Sequence, residues 1–409
     1  MNFHPILPSS IKGGFPIPSI QNAAAGLMSA LMACTAGAVM LVQAADAAGM
    51  TREHLLSWIL IVYLTGGALN LALSLKYKLP FAGAHSITAA AFLSSVVAGY
   101  APGELAGSFM MAGALIAVLG VTGLFARIME AIPRSLIDAM LAGLVLPYVL
   151  KVIPSVTGLP LAGGLALLGY FLAPRLVKNL PPFIGALGLG LAGLLLGHSL
   201  TAAAPADSLS WPEVSLPVFT WSGLLAVAIP VAFLVLGNDI AVALAALRKN
   251  GYQAPVNRVI LVSGLGTLFV GFLGGHAVSI GGMMTSLCSG RDAGAPQSRY
   301  KAAVICSVLV AFFGLFAWFA VGLIERLPPA FVSLMTGLSL AGILLNSIRS
   351  ALSQSAYRLS SLLAFAVAAS GVTWAGISSP VWALIIGLGI SRALQEGRAG
   401  RTTQQSRGV

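Results

Sequence analysis

Charged residues are scarce in this chain of 409 residues, and their scarcity indicates where the protein resides. Only 8% of the residues are charged, whereas soluble domains carry roughly 25%. A further 58% are hydrophobic, and the mean hydropathy is +0.94. A soluble protein of this composition has too few polar groups to cover its surface. Because apolar runs of about 20 residues recur along the chain, the sequence predicts an all-α integral membrane protein.

Other absences narrow the function. The three cysteines, Cys34, Cys288 and Cys306, form no Cys-x-x-Cys pair and lie in apolar runs, so we expect buried core residues instead of disulfides or metal ligands. The chain lacks a Gly-x-x-x-x-Gly-Lys-Ser/Thr phosphate-binding sequence, which argues against an internal ATPase. The basic residues behind the net charge of +11 are scattered, without the basic face of a nucleic-acid-binding protein. We therefore expect no enzyme activity, no cofactor, no metal and no nucleic-acid partner.

The apolar runs divide into about fourteen segments, separated by charges and by Pro and Gly clusters. Segments 3 and 10 are short on the helical side, because each begins with a polar, Gly-containing stretch. The approximate limits are 20–45, 55–75, 80–98, 104–125, 135–153, 160–173, 182–201, 219–246, 258–273, 275–289, 302–324, 330–348, 358–375 and 378–392.

The distribution of Lys and Arg tests this segmentation. Fourteen crossings put nineteen of the 22 basic residues on the side of the N-terminus, and leave three, Arg52, Lys151 and Arg326, on the other side. Basic residues concentrate in cytoplasmic loops of membrane proteins. The sequence thus predicts a multi-pass protein of the cell inner (plasma) membrane with both termini in the cytoplasm.

The two halves of the chain repeat each other. The stretch 79–88 (LPFAGAHSIT) matches 272–279 (FLGGHAVS) at an offset of 191, so that His85 corresponds to His276. Glu130-Ala-Ile-Pro precedes segment 5, and Glu325-Arg-Leu-Pro precedes segment 12 at an offset of 195. Seven segments per repeat is an odd number, so the second repeat is inverted. We therefore predict two inverted seven-segment repeats, with half-helices at segments 3 and 10.

These broken segments are the predicted substrate site. A half-helix that starts at membrane depth presents unpaired N–H groups and partial positive charge, which attract a small anion. Glycine lets the backbone approach a ligand, and short hydroxyls supply donors. Helix capping remains the alternative for the hydroxyls, and packing the alternative for the histidines. The candidates are Gly83, His85, Ser86, Thr88, Gly275, His276 and Ser279.

Segment 8 supplies Asn238 to the same site and Asp239 as the predicted proton-coupling residue. Asp239 lies nine residues before Arg248, which is about 13 Å along a helix and close to the bilayer midplane. A carboxyl group is costly at that depth, so it is a functional candidate, with a structural hydrogen bond as the alternative. Gln43 and Thr35 of segment 1 are secondary candidates. Asp138 lies near the cytoplasmic face, where we expect a gate or a salt bridge.

At these residues the chain resembles the benzoate:proton symporter family (BenE-like), within the nucleobase, sulfate and bicarbonate transporter fold. The motifs are LKYKLP at 75–80, LRKNGYQAP at 247–255, and GGHAVSI at 274–280 followed by Cys288 and Gly290. The resemblance implies a core domain of segments 1–4 (1–129) and 8–11 (216–325). It implies a gate domain of segments 5–7 (130–215) and 12–14 with a cytoplasmic tail (326–409). Substrate would bind between segments 3 and 10, and the core would move like an elevator against the gate, often in a homodimer.

Three functions remain open at this point. The first is proton-coupled symport of a small organic anion, such as benzoate or a related aromatic carboxylate. The second is a nucleobase or inorganic-anion (sulfate or bicarbonate) carrier, and the third is an uncoupled facilitator. The expected partners are therefore an anionic small molecule, protons and the lipid bilayer.

Overall fold

The computed structural model describes residues 17–125, 127, 133–177, 180–197, 214–324, 326–372, 374 and 379–396. Glu130 and Glu325, on which one repeat match depends, lie outside these residues. The described chain is mostly helical, and two extended stretches, 79–86 and 275–281, lie between helices in its interior. Its helices are α1 (Ile20–Ala48), α2 (Arg52–Tyr77), α3 (Ile87–Val96), α4 (Pro102–Thr122), α5 (Arg134–Leu150), α6 (Val152–Gly158), α7 (Pro160–Leu176), α8 (Pro182–Gly197), α9 (Trp221–Lys249), α10 (Val256–Phe272), α11 (Gly282–Ser289), α12 (Tyr300–Leu315), α13 (Ala317–Ile324), α14 (Pro329–Ser353), α15 (Arg358–Ala369) and α16 (Ser379–Ala393).

Each of the fourteen predicted segments contains at least one of these helices. Segment 5 continues beyond its predicted limit to Gly158, and segment 11 is divided at Phe316 into α12 and α13. Among the described residues, seven helical stretches are long and apolar enough to cross a membrane: Ile20–Ala48, Arg52–Tyr77, Pro102–Thr122, Arg134–Gly158, Trp221–Lys249, Pro296–Leu315 and Pro329–Ser353. The chain is thus an integral membrane protein with many apolar helices.

The helices pack in two groups. α1 to α4 pack mainly with α9 to α12, and the most extensive contacts join α4 to α10 and α2 to α12. α5 packs against α14 and α15, while α7 pairs with α8 and α15 with α16. Between the groups, α1 contacts α14 and α3 contacts α5. Large apolar side chains such as Leu176, Leu196 and Trp221 remain exposed, which suits a surface that faces hydrocarbon.

At the end of α2 and again after α10, one residue in the left-handed backbone conformation turns the chain into an extended stretch. Lys78 follows α2 with a φ of 52°, and Gly274 follows α10 with a φ of 78°. This conformation costs an L-residue roughly 1–2 kcal/mol, and glycine adopts it without that penalty. The extended residues then lead into α3 and α11, which have 10 and 8 residues. At 1.5 Å per residue, each short helix covers about half of a 30 Å hydrocarbon layer.

Candidate functional site

The two extended stretches cross as a short antiparallel pair inside the protein. The backbone N–H of Ser86 donates to the oxygen of Ala277 at 3.1 Å, and Ser279 N–H donates to Ala84 at 3.2 Å. Gly83 sits at the crossing, where an added Cβ would lie 2.4 Å from the Ser279 oxygen. The close approach therefore requires glycine at position 83. The crossing also pairs backbone groups that would otherwise be buried without partners.

Side chains from the surrounding helices hold this crossing in place. Asn70 of α2 donates to the Ser279 oxygen at 3.1 Å, and the hydroxyl of Thr285 in α11 donates to Ala82 at 2.9 Å. Ser86 caps α3, because its Oγ accepts from the N–H of Ala89 at 3.1 Å. These partners are buried, so each hydrogen bond replaces one that water cannot supply. The stretches are therefore built into the fold and are not loose loops.

His276 has a partner on both ring nitrogens. The indole N–H of Trp58 donates to Nδ1 at 3.1 Å, and Nε2 lies 3.1 Å from the Ser86 oxygen. An indole can only donate and a carbonyl can only accept, so the ring is neutral and carries its proton on Nε2. Through these two hydrogen bonds His276 links α2 to the extended stretch that carries Ser86. This is the packing alternative that the sequence left open.

His85 has a partner on only one ring nitrogen. Its Nε2 lies 3.1 Å from the hydroxyl of Tyr63, which donates its own proton to the Ala33 oxygen at 2.8 Å. The Tyr63 oxygen must then accept from Nε2–H, which assigns the proton of a neutral His85 to Nε2. Nδ1 is buried and has no hydrogen-bond partner among the described residues. His85 therefore has one unpaired ring nitrogen, which can act as a hydrogen-bond acceptor.

Asp239 lies in the second π-helical turn of α9, which spans Val235–Ile240. Such turns occur frequently at functional sites. The hydroxyl of Thr88 in α3 is 3.5 Å from Oδ1 of Asp239, while Oδ2 is buried and has no partner in the described chain. The amide nitrogen of Asn238 is likewise buried and unpartnered. Buried polar groups are normally satisfied, so these atoms are available to hydrogen-bond water or a ligand.

A cavity of about 340 Å³ brings these side chains together. It lies between the two helix groups, with α3, α9 and α11 on one wall and α5 and α14 on the other. Small-molecule sites usually enclose roughly 300–1,000 Å³. Its polar lining comprises His85, Thr88, Arg134, Asp138, Asn238, Asp239, Asn346, Ser347 and Ser350, and its apolar lining comprises Met32, Ile87, Leu141, Val242, Met283, Met284 and Ile343, with Gly281 and Gly282 between them.

The wall opposite Asp239 carries an ion pair. Asp138 of α5 pairs with Arg134 at 3.6 Å, one helical turn earlier, and its other contact is the hydroxyl of Ser350 in α14. Of the two roles expected for Asp138, a gate or a salt bridge, the ion pair with Arg134 is present. The Arg134 side chain is half exposed, whereas the Asp138 side chain is buried. This wall thus supplies a cation at the start of α5, where the cavity approaches the protein surface.

Four predicted site residues line the cavity: His85, Thr88, Asn238 and Asp239. The other predicted residues lie around it. Gly83, Ser86, His276 and Ser279 form the crossing, as described above. An added Cβ on Gly275 would meet Val62 at 2.8 Å, so this glycine packs against α2.

The two secondary candidates also lie outside the lining. The amide of Gln43 donates to the Thr336 hydroxyl at 2.5 Å and so joins α1 to α14. The hydroxyl of Thr35 donates to Leu31, one turn back in its own helix, at 2.6 Å.

Sequence reasoning missed most of the opposite wall and all of the apolar lining. Arg134 looked like an ordinary charge at a helix start, and residues such as Met283 and Ile343 do not stand out in an apolar run. Trp58, which fixes the ring of His276, was missed for the same reason. Only the packing of the two helix groups brings these residues to the site. Among the described residues no three His, Cys, Asp or Glu side chains are grouped as metal ligands.

Comparison with known proteins agrees with this architecture. The family model BenE, described as benzoate membrane transport protein, matches residues 18–393. Inner membrane protein YdcO of Escherichia coli (strain K12) is 31% identical over 365 residues, which cover 89% of this chain and 93% of that protein. The benzoate membrane transport protein of Acinetobacter baylyi is 26% identical over 374 residues, which cover 90% of this chain and 94% of that protein.

Solved structures share the fold at low sequence identity. The transmembrane domain of a cyanobacterium bicarbonate transporter, BicA, aligns with a TM-score of 0.54 and 20% identity over 86% of this chain and 98% of that one. SLC26A9 aligns with a TM-score of 0.56 and 13% identity over 90% of this chain and 64% of that one. With the family match over nearly the whole described chain, the conclusion is that the chain belongs to the benzoate membrane transport protein family and is a membrane transporter.

Proposed function

We propose that this transporter carries a small aromatic carboxylate, such as benzoate, together with a proton. The observation that supports this most is the mixed lining of the central cavity. Two buried polar groups without partners, the Asn238 amide nitrogen and Oδ2 of Asp239, adjoin a wall of Met, Leu, Ile and Val side chains. An aromatic carboxylate has the matching halves, a polar head and an apolar ring. Sulfate and bicarbonate would leave the apolar wall unused.

The carboxylate head needs hydrogen-bond donors at the polar end. The Asn238 amide nitrogen is one donor without a competing partner. A protonated Asp239 is a second, because its free Oδ2 would then carry an O–H group that donates to the substrate. An ionised Asp239 would offer the substrate only negative charge.

Proton coupling follows from the difference in charge between protonated and ionised Asp239. Two unit charges about 4 Å apart repel by about 4 kcal/mol at an effective dielectric constant of about 20. Such a repulsion lowers the affinity for the anion by about three powers of ten. The substrate therefore binds to the protonated carrier, and by reciprocity the bound substrate holds the proton. Anion and proton cross together without net charge.

Translocation is proposed to be a movement of the core domain (1–129 and 216–325) against the gate domain (130–215 and 326–409). The position of the cavity between the two helix groups supports this, because their relative movement would change the side to which it opens. The inverted repeat has support in the crossing itself. Ser86 pairs with Ala277, its equivalent at the offset of 191, as a two-fold axis between the stretches requires. A homodimer in the inner membrane with cytoplasmic termini completes the proposal.

Radiolabelled benzoate uptake into proteoliposomes tests the function. Initial rates are measured with an inward proton gradient and corrected for protein-free vesicles, because undissociated benzoic acid crosses lipid unaided. We expect protein-dependent uptake that the gradient accelerates and that hydroxybenzoates compete with. A rate unaffected by collapsing the gradient would identify a facilitator, and competition by nucleobases, sulfate or bicarbonate alone would identify another substrate class.

A further inference from the structure

A second cavity, of about 160 Å³, lies at the opposite end of the contact between α3 and α5. That volume is roughly ten times what one water molecule needs. Its walls come from the end of α3, the end of α5, and the end of α15 with the first residue of α16. Ser95, Tyr148, Lys151 and Ser379 carry its polar groups.

The two cavities are separated along the same pair of helices. The central cavity contacts Arg134 and Leu141 of α5, and the second cavity contacts Leu144 and Tyr148 further along that helix. From Arg134 to Lys151 the helix rises about 25 Å, close to the thickness of the hydrocarbon layer. The second cavity therefore lies nearer the opposite end of α5, on the side for which the distribution of basic residues predicts the outer face.

A hydrogen bond joins α3 to α5 beside the second cavity. The hydroxyls of Tyr148 in α5 and Ser94 in α3 are 2.8 Å apart. Ser94 donates its own proton to the Ala91 oxygen at 2.7 Å, so Tyr148 is the donor in this contact. The contact therefore joins the two helix groups at a residue that lines the second cavity, and it does not involve the lining of the central cavity.

Lys151 gives this cavity its charge. It is the one charged side chain among the described residues that line it, and its Nζ lies 5.6 Å from the centre of the Tyr148 ring. It is also one of three basic residues on the predicted outer side. A cation in a small concave site raises the local concentration of an anion.

We propose that this second cavity is an outer vestibule, in which Lys151 receives the carboxylate of an aromatic acid before the contact between Ser94 and Tyr148 opens. The inference rests on the proposed function for its substrate class. In the vestibule the aromatic ring lies against Val96, Leu144 and Pro147, and the carboxylate faces the ammonium group of Lys151. Lys151 then serves capture of the substrate and not its passage through the central cavity.

Transport kinetics provide the first test. For Lys151→Gln we expect the KM for benzoate uptake to rise about two- to fivefold at low salt, the usual range for a single exposed ion pair, with an unchanged maximal rate. Raising the ionic strength should remove the difference, since salt screens exposed charges. Lys151→Arg keeps the charge and should behave as wild type. Arg52→Gln removes another cation of the same predicted side that does not line the cavity, and should leave the KM unchanged.

Thiol labelling provides a test that needs no transport. The native cysteines are buried, and Ser95 is exposed in the cavity, so Ser95→Cys offers a single accessible thiol. A membrane-impermeant reagent should label it from the outside only, and benzoate should slow the labelling. Adding Lys151→Gln should shift that protection to higher benzoate concentrations.

The outcomes separate the vestibule from the function. Labelling of Ser95→Cys from the inside would overturn the vestibule and leave the proposed function standing. The same holds if Lys151→Gln changes neither the protection by benzoate nor the KM while gradient-driven uptake is normal. Protection that depends on Lys151 in a protein that transports no benzoate would support the vestibule and overturn the proposed function.

Discussion

Replacing Asp239 by Asn should uncouple this transporter without unfolding it. Asparagine has nearly the same shape, and its Oδ1 can still accept from the Thr88 hydroxyl, which lies 3.5 Å from Oδ1 of Asp239. The variant resembles the protonated carrier, so it should bind benzoate, but it cannot exchange a proton. Benzoate then crosses without its proton, and a proton gradient no longer drives its entry.

The size of the effect follows from the charge repulsion at the site. In the wild type, ionisation of Asp239 should weaken benzoate binding by up to about 10³-fold, from about 4 kcal/mol of repulsion at 4 Å. Affinity therefore falls about tenfold for each pH unit above the titration range of the carboxyl group, until it reaches this limit. In Asp239→Asn the affinity should stay constant over the same pH range.

Two proteoliposome assays measure this prediction side by side. The first is the increase in the initial rate of benzoate uptake that the proton gradient produces, corrected for protein-free vesicles, which should disappear in Asp239→Asn. The second is exchange of labelled for unlabelled benzoate at equal pH, which should persist. Thr88→Val is the matched control, because it removes the hydroxyl next to the carboxyl group but keeps the titratable group. Gradient-driven uptake that survives in Asp239→Asn would refute the assignment of the proton to Asp239.

Two further predictions concern the framework of the site. Gly83→Ala should abolish folded protein on size-exclusion chromatography, because its Cβ would lie 2.4 Å from the Ser279 oxygen. Gly164→Ala, which has open space around the added Cβ, should elute as wild type. Equal elution of the two variants would contradict the close crossing. Trp58→Phe should lower the free energy of unfolding by about 1–3 kcal/mol, because it leaves Nδ1 of His276 buried without a donor. An unchanged thermal midpoint for this variant would show that the hydrogen bond is dispensable.

The sequence predicted the framework of the site better than its contacts. Pro80 and Gly83 break the start of segment 3, and the short α3 follows from that break. Asp239 stood out because a carboxyl group is rare at membrane depth, and it does line the cavity. These inferences depend on local composition, which a single segment contains.

The side-chain contacts that the sequence could not predict are those between distant segments. His276 was a candidate because it is the repeat equivalent of His85 beside a broken helix start, but the indole of Trp58, 218 residues away, donates to its Nδ1. Arg134 and Ile343 come to the cavity only because α5 and α14 pack beside it. Neither residue has an unusual neighbourhood in sequence. Tertiary packing therefore decides which candidates face a ligand and which hold the fold.

The most direct measurement is the number of protons taken up when benzoate binds. Isothermal calorimetry of the purified protein, in buffers of different ionisation enthalpy between pH 6 and 9, gives this number from the slope of the binding enthalpy. We predict a maximum close to one proton per benzoate for the wild type and none for Asp239→Asn. No proton uptake at any pH in the wild type, or equal uptake in both proteins, would contradict the joint binding of proton and carboxylate at Asp239.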